Sequence, residues 1–287
     1  MAIPFDRSDF MRAIRRDKLA AIGLVVVIAF FVIPIFIAIF GTGILPYNPI
    51  GVNMNEKLQP PSWRHIFGTD ALGRDIFSRM LYATIYDVPI PIIVVLISVL
   101  IGGALGVTSG YIGSRFDQVI MRITDVFLAF PGLILAMAIA AALGPGLIQS
   151  TYALIVTWWP KYTRLTRGEV LQIREMQFIE ASKASGSSSF YTITRHIVPN
   201  IVSPIMAYVT LDIGNILLLF SVLSYIGLGV QPPFPEWGAL VNNGQDFLQS
   251  SPWLALVPGI AIVIVVVSIS LVGDALRDVL DPRTRNR

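Results

Sequence analysis

The sequence predicts an all-α polytopic membrane protein with six transmembrane helices and both termini on the cytoplasmic side. Three observations carry this expectation. First, 54% of the 287 residues are hydrophobic and only 14% are charged, with a mean hydropathy of +0.70, more apolar surface than a soluble domain of this size buries. Second, the uncharged runs Leu19 to Phe40, Val88 to Gly113 and Phe247 to Gly273 contain 22, 26 and 27 residues, against the roughly 20 needed to cross a bilayer. Third, 17 of the 21 Lys and Arg residues fall on one side of the resulting topology, the bias that marks the cytoplasmic face.

The remaining spans follow in chain order. Val126 to Pro160 is uncharged but interrupted by Gly144-Pro145-Gly146, strong turn chemistry that predicts a helical hairpin. Its first arm begins near Phe116. Its second arm, Leu147 to Trp159, is short before Lys161, so that helix either tilts or continues past the bilayer. A further span runs from Ile201 to Leu228, interrupted only by Asp212. The basic N-terminal residues Arg7, Arg12, Arg15, Arg16 and Lys18 precede an apolar run too long for a cleavable signal peptide, so the first helix is expected to be retained. Membrane lipid is thus an expected partner, and the net charge of +3 is accounted for by topology rather than by nucleic acid.

Several chemistries are excluded. There is no cysteine, hence no disulfide and no thiolate. His65 and His196 fall on opposite sides of the membrane, so no shared metal site is expected. None of the 23 glycines precedes a lysine, which rules out a phosphate-binding G-x-x-x-x-G-K-[ST] loop. Gly102, Gly103 and Gly106 lie within an apolar helix, and with Gly110 they place small residues at i, i+4 and i+8, spacing that lets another helix approach closely. Asp212, with Asn215 three residues on, is the one carboxylate expected deep in the bilayer. Two readings stay open for it: a translocation path or gate, and an interhelical hydrogen bond or helix-cap partner. Asp125 is expected to pair near Arg122 at the interface.

The segment from Lys161 to Asn200 is expected on the cytoplasmic side. Thr163 to Ser185 lacks proline, and Ile173, Met176 and Ile179 recur at i+3, which predicts helix, with Glu180 and Lys183 able to pair. Gly186 is the expected C-terminal cap, and Ser187 to Ser189 offer caps for a second short helix bearing Phe190, Ile193 and Ile197. Helix, glycine hinge and helix form a protrusion with little of its own to bury its apolar residues, which suits the membrane face or a soluble partner.

Glu180-Ala181-Ser182, three residues, Gly186 and then Pro199 resembles the E-A-A loop in membrane subunits of ATP-binding-cassette (ABC) importers. The chain departs from the consensus E-A-A, three residues, G, nine residues, I-x-L-P at Ser182, His196 and Val198, although "RHIVPN" is similar to the R-H-I-L-P-N form of peptide-type permeases. "HIFGTDALGRDIFSRMLY", "SYIGLGVQPPFPEWGALV" and "DALRDVLDPR" resemble segments of the C-type permease subunit of dipeptide and oligopeptide importers.

That resemblance implies a non-enzymatic transport subunit of the cell membrane, paired with a second, homologous permease subunit, two ATPase subunits that bind ATP and magnesium, and an extracytoplasmic substrate-binding protein. It implies no cofactor on this chain. Glu180, Ala181, Ser182, Gly186, Ser187, Ser188, Phe190, His196 and Pro199 would form the ATPase-coupling loop. Residues 1–83 would hold the tail, first helix and outer loop, and residues 84–287 the five-helix core with its loop at 161–200. Peptides are the implied cargo, with nickel chelates or oligosaccharides as alternatives for the same permease type and an ion-driven secondary transporter as a remote one.

In the outer loops, Asp70 is expected to cap a helix whose Ile76, Phe77, Met80 and Leu81 form an apolar side. Gln231 to Pro235 is stiff, and Trp237 suits an interfacial position. Asp70, Arg74, Asp75, Pro233 and Trp237 either pack these loops locally, or cradle a docked binding protein or line the outer gate.

Overall fold

Helices make up nearly all the regular structure among the described residues, 17–280 of the computed structural model, with side chains described to residue 277. The basic residues Arg7, Arg12, Arg15, Arg16, Arg283, Arg285 and Arg287 and the end of the C-terminal motif lie outside the described residues.

The order is α1 (Lys18–Phe40), α2 (Ile76–Asp87), α3 (Pro89–Ile112), α4 (Ser114–Leu128), α5 (Gly132–Leu143), α6 (Leu147–Arg174), α7 (Gln177–Ala184), α8 (Ser189–Thr192), α9 (Val198–Tyr225), α10 (Trp237–Gln245) and α11 (Trp253–Leu280). A π-helical turn over Ile193–Ile197 joins α8 to α9.

Among the described residues, four stretches are long and apolar enough to cross a membrane, five if α4 and α5 count as one span. α6 has the length, 28 residues, but Lys161, Arg164, Arg167, Glu169 and Arg174 along it dilute its apolarity. Two expectations are corrected here. The first hairpin arm is not one helix: α4 and α5 meet at 86°, because Pro131 lacks an N–H and disfavours helical geometry at Phe130. α4 then presents Phe116, Val119, Ile123 and Val126, all exposed, along one side. The second arm continues past Trp159, as one of its two expected forms does, and this moves the start of the loop away from Lys161. α6 runs on through Lys161 to Arg174, so Lys161 is a mid-helix residue and not the start of a loop.

Two apolar cores organise the bundle. In one, Val94 of α3, Leu154 and Tyr162 of α6, and Ile216 and Phe220 of α9 are buried. In the other, Phe30 of α1, Ile76 and Met80 of α2, Trp237 and Leu240 of α10 and Ile262 and Ile269 of α11 meet Leu217 of α9. α9 therefore belongs to both.

The α3–α6 contact rests on the small-residue stripe. A Cβ at Gly102 would sit 2.3 Å from the Trp159 carbonyl oxygen, and one at Gly106 2.6 Å from that of Thr163, whereas Gly103 faces open space. Lipid tails are as apolar as the side chains they would replace, so close backbone approach and dispersion supply what the hydrophobic effect does not.

Candidate functional site

Two features concentrate polar chemistry: the loop between α6 and α9, and a charge pair midway along those two helices.

The loop begins where Arg174 Nη1 donates to the Gly110 carbonyl at 2.8 Å. Contrary to the continuous helix expected over Thr163 to Ser185, the chain breaks at Glu175 and Met176. Ile173 and Ile179 are buried while Met176 is 47% exposed, so the i+3 repeat straddles a corner and does not form one face. α7 ends as the Gly186 cap requires. Gly186 has φ +79°, its N–H donates to Lys183 O at 2.9 Å, and Ser187 N–H donates to Ser182 O at 3.2 Å, the paired closure of a Schellman motif. Ser188 Oγ then accepts from Tyr191 N at 3.2 Å and caps α8.

The same loop disposes its expected residues unequally. Ser182 Oγ lies 3.4 Å from Thr192 Oγ1, tying α7 to α8. The His196 ring packs between Phe178 and Tyr191, with centroids at 6.2 and 5.7 Å. Glu180, Ala181 and Pro199 are exposed, and Phe190 is 78% exposed. Lys183 does not pair with Glu180; its ammonium lies 5.5 Å from the Tyr111 ring centroid. The protrusion thus closes its turns with its own hydrogen bonds and leaves an aromatic side chain outward.

Asp212, 2% exposed, accepts from Lys161 Nζ at 2.6 Å, Trp158 Nε1 at 3.1 Å and Asn215 Nδ2 at 3.2 Å. An interhelical hydrogen bond is therefore present. Lys161 and Trp158 were not among the sequence-derived site residues. Their i, i+3 spacing opposite that of Asp212 and Asn215 was the available signal, but nothing local specifies which helices pair. Farther along α6, Arg167 grips Asp117 with Nε–Oδ1 2.5 Å and Nη2–Oδ2 2.6 Å. Asp125 pairs with Arg164 and not with Arg122.

The loop residues fold inward. The cap of α2 is Asp75, whose Oδ2 accepts from Ser78 N at 2.7 Å and whose Oδ1 lies 2.9 Å from His65 Nδ1. Asp70 is not the cap: it stays in its own turn, accepting from Leu72 N and Arg74 N at 2.9 Å and from Arg74 Nε at 2.7 Å. Trp237 is buried within the protein, donating from Nε1 to Met80 O at 3.0 Å, with the tilted Phe30 ring centroid 5.3 Å away. Pro233 is exposed at the tip of its loop. Beneath that tip the buried Glu236 carboxyl lies against Asp87. Burial raises its pKa above the ordinary 4.5, against the lowering by hydrogen bonds from Gly238 and Ala239. No cluster able to hold a metal ion occurs among the described residues.

Comparison with known proteins places this geometry in a family. Residues 102–286 match the model for the binding-protein-dependent transport system inner membrane component, and residues 7–61 that for the N-terminal transmembrane domain of oligopeptide transport permease C. The chain belongs to this family of multi-pass membrane permease subunits. It is 39% identical over 278 residues to a dipeptide transport system permease protein of Alkalihalophilus pseudofirmus, covering 97% of this chain and 90% of that one. It is 40% identical over 252 residues to a probable D,D-dipeptide transport system permease protein of Escherichia coli, covering 88% and 85%. It is 35% identical to a di/tripeptide transport system permease protein of Pseudomonas aeruginosa, covering 100% and 95%. The inward-facing MetNI methionine ABC transporter shares the fold, with TM-score 0.54 and 17% identity over 70% of this chain and 98% of that one.

Proposed function

We propose that this chain is one of two different permease subunits of an ATP-driven peptide importer. It would cross the membrane six times with both ends cytoplasmic, α6 and the bent α4–α5 pair included. Residues 84–287 would be the core, with α2 straddling its start. Of the two ATPase subunits in the complex, one would dock on the loop from Met176 to Asn200 of this chain, and an extracytoplasmic binding protein would deliver the cargo.

The observation that carries this reading is the loop: closed by its own hydrogen bonds at Gly186 and Ser188, it offers Phe190 outward with 78% of its surface free. Glu180, Ala181, Ser182, Gly186, Ser187, Ser188, Phe190, His196 and Pro199 divide between contact and shaping. Glu180, Ala181, Phe190 and Pro199 make contact, while Ser182, Gly186, Ser187, Ser188 and His196 hold the form. The cargo is proposed from relatives named for dipeptides and di/tripeptides. Asp212, the one candidate for ion coupling, is held by three donors, which favours ATP-driven over ion-driven transport. In the outer loops, Asp70, Arg74, Asp75 and Trp237 would maintain the shape against which a binding protein docks, with Pro233 at the contacting tip.

The test is uptake of a labelled dipeptide by the complete complex in proteoliposomes. Gly186→Val places a β-branched residue at φ +79°, a conformation such residues avoid, so uptake is expected to be lost while the chain still inserts. Unchanged uptake and unchanged ATPase association would remove the docking assignment.

A further inference from the structure

Lys161 and Asp212 are each the fifteenth residue of a 28-residue helix, α6 and α9. At 1.5 Å per residue the pair lies about 21 Å from the start of each helix, near its middle. On α6 this point follows the uncharged stretch Leu147–Pro160, and on α9 it lies within a candidate membrane span, where an ionised group is costly unless it faces protein or water.

The two partners differ in exposure. The Asp212 side chain is 2% exposed and that of Lys161 41%. Both Asp212 oxygens are already occupied, Oδ1 by Lys161 and Asn215 and Oδ2 by Trp158. The Lys161 ammonium has three N–H donors and spends one on Asp212. Its exposed side therefore carries unspent donors, with the Trp158 ring centroid 5.1 Å away and the exposed Asn215 nearby.

A cation so placed cannot face lipid tails. Set in the wall of a water-filled path, it could bind an anionic oxygen group through its unspent donors. We propose that Lys161 is a subsite in the translocation path for the C-terminal carboxylate of a peptide in transit, with Asp212 the residue that positions the ammonium and Trp158 the apolar floor. This rests on the peptide reading above and goes beyond it by naming the group recognised and the residue that meets it. Because Asp212 balances the ammonium, the subsite holds no net charge, which suits a cargo that must be released as readily as it is taken.

The test is a cycle in the complete importer reconstituted with its binding protein, measuring initial uptake of alanyl-alanine and of the same dipeptide capped as its carboxamide. Wild type is compared with Lys161→Gln and with the charge-balanced Lys161→Gln/Asp212→Asn. The cycle cancels any preference of the binding protein, which is the same in every arm. A lost charge-assisted hydrogen bond is expected to lower alanyl-alanine uptake about tenfold in both variants, with carboxamide uptake changed less than about twofold, so that the preference for the free acid collapses. Equal losses for the two peptides would overturn the proposal and make Lys161 a packing or subunit-contact residue. Undiminished alanyl-alanine uptake in the charge-balanced variant would overturn it as well. Failure of the wild-type importer to take up either peptide would overturn the peptide reading itself, and this subsite with it.

Discussion

Gly102→Ala and Gly103→Ala add one methyl group at adjacent positions of the same helix, and the structure assigns them opposite consequences. At position 102 the new Cβ would lie 2.3 Å from Trp159 O, 2.8 Å from Tyr162 Cβ and 2.9 Å from Thr163 N, where ordinary contact begins at 3.4 Å. Two of the three atoms are backbone and cannot rotate away. α6 must therefore retreat by about 1 Å, which also loosens the contacts at Gly106 and Gly110 and forfeits dispersion along the seam. Overpacking of this kind costs about 1–3 kcal/mol. At position 103 nothing lies within 4 Å, and alanine's helix propensity exceeds that of glycine by up to about 1 kcal/mol. The assay is thermal unfolding of the purified chain in detergent, followed by tryptophan fluorescence with Trp159 at the contact. Gly102→Ala is expected to lower the midpoint by about 3–8 °C, and Gly103→Ala to leave it unchanged or raise it slightly. Equal shifts for the two variants, or an unshifted Gly102→Ala, would refute the close-packed seam.

Other outcomes follow from the polar contacts. Asp212→Ala strands the Lys161 ammonium and is expected to cost about 2 kcal/mol, less than the 3–5 of a wholly buried pair because Lys161 is partly exposed. Lys161→Met/Asp212→Leu should recover most of that loss in the same unfolding assay. Asp75→Ala removes the α2 cap and the His65 partner, and should lower the midpoint by the equivalent of about 1–2 kcal/mol. Burial raises the Glu236 pKa above 4.5, so the folded state binds more protons than the unfolded one. Its contribution is complete below pH 4.5 and is lost as pH rises through the elevated folded value. Midpoints measured from pH 5 upward should fall with this group's titration, and Glu236→Gln should flatten that part of the profile.

What the sequence made legible was local. The long apolar runs became α1, α3, α9 and α11. The glycines at i, i+4 and i+8 became the α3–α6 seam, and Gly186 became a left-handed cap, because each depends on spacing within one helix or turn. The α4–α5 bend was signalled by Pro131-Gly132, but the 35-residue uncharged run around that pair masked a break that no charge marks. Choosing Asp70 over Asp75 as a cap required knowing where α2 starts, and both lie in the same polar stretch. Lys161 read as the edge of a loop because a lone lysine after an apolar run is the usual sign of an interface. Its partner lies 51 residues away, and only tertiary packing brings the two together. The burial of Trp237 was hidden for a similar reason, its contact with Met80 spanning 157 residues.

The docking of an ATPase on the loop from Met176 to Asn200 is tested most directly by site-directed cross-linking. The chain contains no cysteine, so Phe190→Cys introduces a single thiol at the exposed tip of the loop, and Trp63→Cys introduces one at a fully exposed position in the segment before α2. In the assembled complex, a thiol-reactive cross-linker is expected to join the ATPase subunit to Cys introduced at position 190 and not at position 63. Cross-linking of the ATPase at position 63, or at neither position while the complex remains intact, would contradict the account.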